Sequence, residues 1–504
     1  MKNKILIIAS LFALALPGCK LDSNPTDSVT TASLTSTSDG LLNAVNGAYS
    51  LFKDHVTFNG GLDLNNMYLR QYFQMSDFAS DDVVCGQVTT DPLYLSFSLE
   101  HSPAQTNARY FWFISYKIIN DCNTVIELGE KQANPSVATQ QLIGECYFLR
   151  AFCHFNLARL FAQPYSINPS APGIILRTST TDNPQKARAT VKEVYEQVIA
   201  DATKGATLMN QSRGVTYATK EAAWALLSRV ALYQEDNDNA IAWATKVISS
   251  GKFTEATATS YPTLFANAAT STETIFCVAF NTLDDYGKAG SIASQYYSNG
   301  TSGWGEEYAS VPLRALYAQH PEDVRASYIV PLKDSTGIVQ QKNGIDIYYV
   351  TKFSFQGGSP TLSSPVMFRL SEMYLNRAEA EAKLGQAGTA LADVDVIRQN
   401  RGLQASLYNG AVPNNSSALN VVLQERRLEL AFEGHRTFDV YRNKQNMDRT
   451  YWGYHLEGLK ETDINLSTLP ANYANEIVPY TSTKIIYYLP IDEILSNTLA
   501  VQNP

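Results

Sequence analysis

Several long segments carry apolar residues at three- and four-residue steps over fifteen or more positions, and a chain with that many stripes has to bury them by packing helix against helix. The pattern predicts helices over 39–54, 104–130, 138–162, 190–208, 219–234, 238–250, 365–384, 388–401 and 418–434, with few and short strand-like runs between them. Two stretches are more specific. From Glu221 to Phe253, Ala222, Ala225, Ala231, Ala240 and Ala244 let two helices approach closely while Trp224, Leu227, Tyr233, Trp243 and Val247 fill the crossing. From Met367 to Gly402 the plan repeats, with Ala378, Ala380 and Ala382 beside Leu375, Leu384, Leu391 and Val394, and with Gly385 stopping the first helix.

Both stretches look like tetratricopeptide units, but about 145 residues separate them, so the repeats are dispersed and not tandem. Such units cannot bury both faces alone, which makes the expected architecture mainly α. It is a single body of packed helix pairs including tetratricopeptide-like units, with long irregular loops and a few short strands. A 45% hydrophobic, 17% charged composition has enough apolar surface for that core.

The amino end reads differently. Lys2 and Lys4 precede an apolar run from Ile5 to Leu16, too short to span a bilayer, and Leu16-Pro17-Gly18-Cys19 resembles the lipobox of bacterial lipoproteins. Residues 1–18 are therefore expected to be a lipoprotein signal peptide and Cys19 the lipidated first residue. Residues 19–39 follow as a Ser/Thr-rich tether, whose twenty-residue coil has a span of about 25 Å. The remaining five cysteines contain no C-x-x-C pair, so no metal site is expected and buried free thiols are the favoured reading. A formal net charge of -9 argues against a nucleic-acid partner.

Seven segments then carry a resemblance over nearly the whole chain. They are LLNAVNGAYSLF (41–52), GECYFLRAFCHFNLARLFAQPY (144–165), ETIFCVAFN (273–281), VPLRALYAQHPEDVR (311–325), FRLSEMYLNRAEAEAKLG (368–385), LQERRLELAFEGHRTFDVYR (423–442) and the ending YYLPIDEILSNTLAVQNP. In these the chain is similar to the SusD/RagB family of Bacteroidetes surface lipoproteins. The resemblance implies one helical body over 40–504, with an N-terminal part of about 40–215 and a C-terminal part of about 270–504. It also implies a lipid-anchored, outward-facing place in the outer membrane and an oligosaccharide or polysaccharide ligand. That ligand would be handed to a SusC/RagA-like TonB-dependent transporter. No cofactor and no catalytic residue are implied.

Residues 281–310 lack helical periodicity and hold five glycines beside Tyr286, Tyr296, Tyr297, Trp304 and Tyr308, which predicts a long exposed loop. Aromatic faces suit the C–H faces of sugar rings, and Asn281 and Asn299 can bond hydroxyls. In the family, binding groups come from this region and from an early loop. Here the early loop maps to residues 65–100, which offer Arg70, Tyr72, Asp77, Asp81, Asp82 and Tyr94. The ligand set expected from the resemblance and the residue types is thus Trp304, Tyr296, Tyr297, Tyr286, Tyr308, Asn281, Asn299, Arg70, Tyr72, Asp81 and Tyr94. Three other readings stay open: an oligopeptide-binding RagB-like lipoprotein, a protein-only scaffold, and a glycoside hydrolase using two of Asp284, Asp285, Glu306 and Glu307. No H-E-x-x-H, G-x-S-x-G, P-loop or dinucleotide fingerprint occurs. The charged run Glu425, Arg426, Arg427, Glu429, Glu433, His435, Arg436, Asp439 and Arg442 reads as a helix locked by ion pairs within the run.

Overall fold

The structure is a computed structural model that describes residues 39–455 and 476–504; the leader, Cys19 and residues 20–38 of the tether lie outside them. The helices that carry the architecture are α1 (Gly40–Ser50), α2 (Tyr68–Asp77), α3 (Thr106–Glu130), α4 (Val137–Phe161), α5 (Val191–Leu208), α6 (Lys220–Tyr233), α7 (Asn237–Ile248), α8 (Leu370–Lys383), α9 (Ala387–Asn400), α10 (Ala418–Glu429) and α11 (Arg436–Arg442). Their starts follow from sequence. Ser136, Thr190, Thr219, Asp236 and Ser417 each accept a hydrogen bond from an amide of the first turn, and Thr190 with Glu193 forms a full capping box.

From α3 to α10 each helix packs on the next in chain order. The two alanine-rich pairs, α6–α7 and α8–α9, are therefore spatial neighbours: α7 lies against α8, with Ala231, Leu232, Ala240 and Ala380 in one buried cluster. The small residues make this approach possible, and the intervening stretch of chain leaves the stack and returns. The mainly α expectation holds, with two local differences. Val366–Arg369, expected at the start of a helix, is a strand paired antiparallel with Thr274–Cys277, and the expected 418–434 helix stops at Glu429. All five described cysteines are buried free thiols.

Inside the C-terminal half lies a dense ionic cluster. Glu429 is reached by Arg401 at 2.7 Å, Arg369 at 2.5 Å and Arg325 at 3.2 Å, and every member is at most 1% exposed. Glu425 takes Arg325 and Arg398, and Glu433 takes Arg369 and Lys352. This corrects the expectation for Glu425, Glu429 and Glu433, whose partners come from outside the charged run. Arg426 and Arg442 keep Asp439 within the run and also reach Glu379 outside it, while Arg427 and Arg436 turn to Asp81 and Asp82. Buried carboxylates need several donors each, and guanidinium groups from distant segments converge more closely than those on the same helix.

A second buried acid sets a pH dependence. Burial pushes the Glu145 carboxyl of α4 up to about 7, against the pull of Gln141 and Arg213. The folded state therefore holds a proton that the unfolded chain, titrating near 4.3, has lost. Stability from this group is full below the unfolded value and is lost as pH rises through 7. Glu145→Gln should be more stable than wild type by about 2 kcal/mol at pH 8, with the gap closing by pH 4. Urea denaturation at the two pH values measures it.

Candidate ligand-binding rim

The segment 281–310 is anchored rather than loose. It holds two one-turn helices, Gly287–Gly290 and Ala293–Tyr296, and ends in strand β2 (Glu307–Ala309), which pairs antiparallel with β1 (Val83–Cys85) in the register Val84↔Tyr308. The early segment and the aromatic segment thus form one structural unit. The expectation of a long exposed loop is corrected accordingly.

Of the eleven expected contact residues, six are buried. The Tyr296 ring is enclosed by Phe78, Phe353 and Phe432 and is fully buried. Tyr308 packs on Tyr349 and fills the space beside Gly86, where an added Cβ would sit 2.6 Å from the ring. On α2, whose ten residues are all buried, Arg70 pairs with Asp91 at 2.7 Å and Tyr72 accepts from Arg159. Asp81 receives a two-pronged bond from Arg436 at 2.7 and 2.9 Å. Burial alone would raise that carboxyl, but Arg436 and then Arg427 hold it below the usual range. Tyr94 is buried at 9% exposure. These six are corrected from contact residues to supports, because all are buried and Arg70, Tyr72 and Asp81 are bonded to internal partners.

The other five lie nearer the surface, in two groups. Trp304 is 52% exposed, and its backbone is fixed by N–H donation to Ser294 at 2.6 Å, with Gly305 donating to the same carbonyl and Glu306 to Gln295. Gly303 and Gly305 both adopt positive φ, and a Cβ on Gly303 would fall 2.1 Å from the Tyr297 carbonyl oxygen, so only glycine permits this turn. The half-buried Tyr297 meets Tyr349 and the 42%-exposed Phe355 edge-on at 5.5 and 5.2 Å. Asn299 is exposed and caps the turn before Trp304 through the amides of Thr301 and Ser302. At the far end, half-buried Tyr286 packs on His55, and exposed Asn281 caps a short turn through Leu283.

The sequence reading missed Lys288, whose Nζ stands 4.0 Å from the Trp304 ring centroid, and Phe355, which lies outside residues 281–310. Beneath the rim, Gln295 donates to Asp91, and Gln87 bonds Glu306, whose carboxyl burial raises above its ordinary value. Lys288 could have been flagged only by a one-turn helix bringing it back over the indole.

The four acids considered for hydrolysis are separately employed. Asp284 pairs with Lys53 at 2.7 Å, and Asp285 accepts from Ser359 and Thr361. Glu306 takes Gln87, while Glu307 is fully buried and held well above its usual range, by burial first and then by Glu306. What the rim can do chemically is present one fixed indole with an ammonium above it and flanking rings, over a hydrogen-bonded polar floor.

Comparison with known proteins agrees with this architecture. A family model described as starch-binding associating with outer membrane matches residues 63–232, and one described as the SusD family matches residues 218–504. The SusD-like protein P38 of Formosa agariphila is 23% identical over 443 residues, which span 76% of this chain and 82% of that protein. A SusD superfamily protein of Bacteroides thetaiotaomicron is 26% identical with a TM-score of 0.79, covering 92% of this chain and 99% of the other. The fold is shared as well with surface glycan-binding protein A of Bacteroides uniformis, at 18% identity, a TM-score of 0.70, and coverage of 93% and 99%. With the SusD model spanning more than half of its residues, this chain belongs to the SusD family, whose members bind carbohydrate and associate with the outer membrane.

Proposed function

We propose that this protein captures an oligosaccharide or polysaccharide at the cell surface, tethered by lipid on Cys19, and passes it to a SusC/RagA-like TonB-dependent transporter. It does so without cleaving the chain. The observation that carries the reading is Trp304, an indole half open to solvent and immobilised by a glycine pair and three backbone hydrogen bonds. A fixed aromatic plate loses little entropy on stacking against a pyranose face, and Lys288 stands where it can bond a hydroxyl. Tyr297, Phe355 and Asn299 extend the contact surface beside it. The polar floor of Arg70, Asp91 and Gln295 serves to hold the two segments together.

Isothermal titration of the purified protein with neutral oligosaccharides tests the reading. Trp304→Ala should weaken binding at the rim at least tenfold, about 1.4 kcal/mol, with an unchanged melting temperature. Wild-type affinity in that variant removes Trp304 from the site.

A further inference from the structure

A second surface feature lies away from the rim. Helix α3, the segment 177–184 and the short C-terminal helix Ile491–Ser496 enclose an open cleft of about 630 Å³. Its lining on α3 recurs at helical spacing, Arg109, Trp112, Phe113, Tyr116 and Asn120 among others, so the cleft follows one face of the helix. Between Arg109 and Asn123, which both line it, the helix rises about 21 Å. Phe58 joins Phe113 at 5.1 Å, and Tyr116 meets the buried Trp112 at 5.0 Å, which places three half-buried rings along the floor.

The lining balances Arg109, Lys117 and Arg177 against Asp182, Asp492 and Glu493, and most of these charges are engaged within the chain. Arg109 makes a two-pronged bond to Asp492 at 2.6 and 2.8 Å, and Asp182 takes Lys186. Arg177 donates to the carbonyls of Asn183 and Pro184, and the Trp112 indole N–H donates to Glu493. A carboxylate or phosphate ligand would face as many acids as cations in this lining. A peptide adding to a sheet would need a strand edge, and the cleft walls are helices and an irregular segment. Aromatic faces, the exposed amides of Asn59 and Asn120 and the exposed Lys117 remain, a set suited to hydroxyl groups.

We propose that this cleft is a second carbohydrate-binding site, which takes a neutral glycan chain along α3. The proposal rests on the glycan-binding reading above and adds a place for a longer chain. Segment 55–66 links the two sites, since His55 packs on Tyr286 at the rim end and Phe58 forms part of the cleft floor.

The test is titration of the purified protein with maltoheptaose, cellohexaose, xylohexaose, mannohexaose and laminarihexaose, beside an anionic hyaluronan octasaccharide. At least one neutral chain should bind with a stoichiometry of two. Asn120→Trp, which fills the cleft from an exposed helical position, should reduce it to one, as should Trp304→Ala at the rim. Phe113→Ala is the companion variant, and it should weaken the cleft class at least tenfold. Melting curves matching wild type qualify each variant. A stoichiometry of one that both cleft variants leave unchanged overturns the cleft and leaves the rim standing. Binding lost in the cleft variants but intact in Trp304→Ala keeps the cleft and removes the rim. Binding of hyaluronan alone overturns the assignment of a neutral ligand, and no binding by any chain sinks both sites.

Discussion

Glu429→Gln should lower the free energy of unfolding by about 3–5 kcal/mol, the penalty typical of breaking a buried ion pair by removing one partner. The substitution keeps shape and removes only the charge. That charge faces three guanidinium groups, from Arg325, Arg369 and Arg401, in a place closed to water. Burial disfavours the carboxylate, yet Arg401, Arg369 and Arg325 outweigh it and hold the group well below its ordinary range. Neutralised, it would leave those cations to Asp323, which already bonds Arg325, and to Glu273, Glu425 and Glu433, each already shared between two cations. A fitting control is Glu196→Gln, which cuts an exposed pair at 3.8 Å and should change stability by less than about 0.5 kcal/mol. Urea denaturation of both variants decides the matter: equal midpoints would mean that the cluster is not what binds the C-terminal half together.

The cluster also reaches toward the rim. Lys352 donates to Glu433 and to the Glu429 and Ala431 carbonyls, and the next residue, Phe353, packs on Tyr296 under the aromatic segment. A variant that loosens the cluster should therefore lose ligand affinity only together with stability, whereas a rim variant should lose affinity alone.

The helix pairs were legible because alanine at the crossings and a regular apolar stripe are local signals, readable within thirty residues. That α7 would meet α8 was not, since the excursion between them carries no periodicity to say where the chain returns. Helix α2 escaped for a different reason. It is ten residues long, short of the fifteen-position stripes that mark the others, and although Arg70, Gln71, Gln74 and Asp77 form a polar face at helical spacing, that face is buried as well. The pairing of Glu425, Glu429 and Glu433 was misassigned because spacing of four identifies neighbours on one helix and is silent about arginines 27 to 104 residues away, from Arg398 to Arg325. At the rim, Trp304 stood out through its flanking glycines. Tyr296 and Tyr308 share its composition but not its backbone, one lying in a buried helical turn and the other in a strand whose three residues are all buried.

Those glycines give the sharpest test of whether orientation, and not merely an aromatic ring, makes the site. Gly303→Ala retains Trp304 but places a Cβ 2.1 Å from the Tyr297 carbonyl oxygen and 3.2 Å from that of Ser294, at a φ of +95°. Both contacts are with backbone, so no side chain can yield, and the turn must open. Opening it breaks the amide bonds from Trp304 and Gly305 to Ser294 that fix the indole. Oligosaccharide affinity at the rim should fall at least as far as in Trp304→Ala, tenfold or more, about 1.4 kcal/mol. Global stability should drop by only about 1–3 kcal/mol, the range for local backbone strain. Gly300→Ala is the matched control: it has positive φ of 92° as well, but nothing lies within 4 Å of the added carbon. It should suffer strain without displacing the tryptophan, and so retain affinity. If Gly303→Ala binds as wild type does, a mobile ring suffices and the fixed plate is not the basis of recognition; if Gly300→Ala loses as much affinity, the whole turn rather than the indole is what the ligand reads.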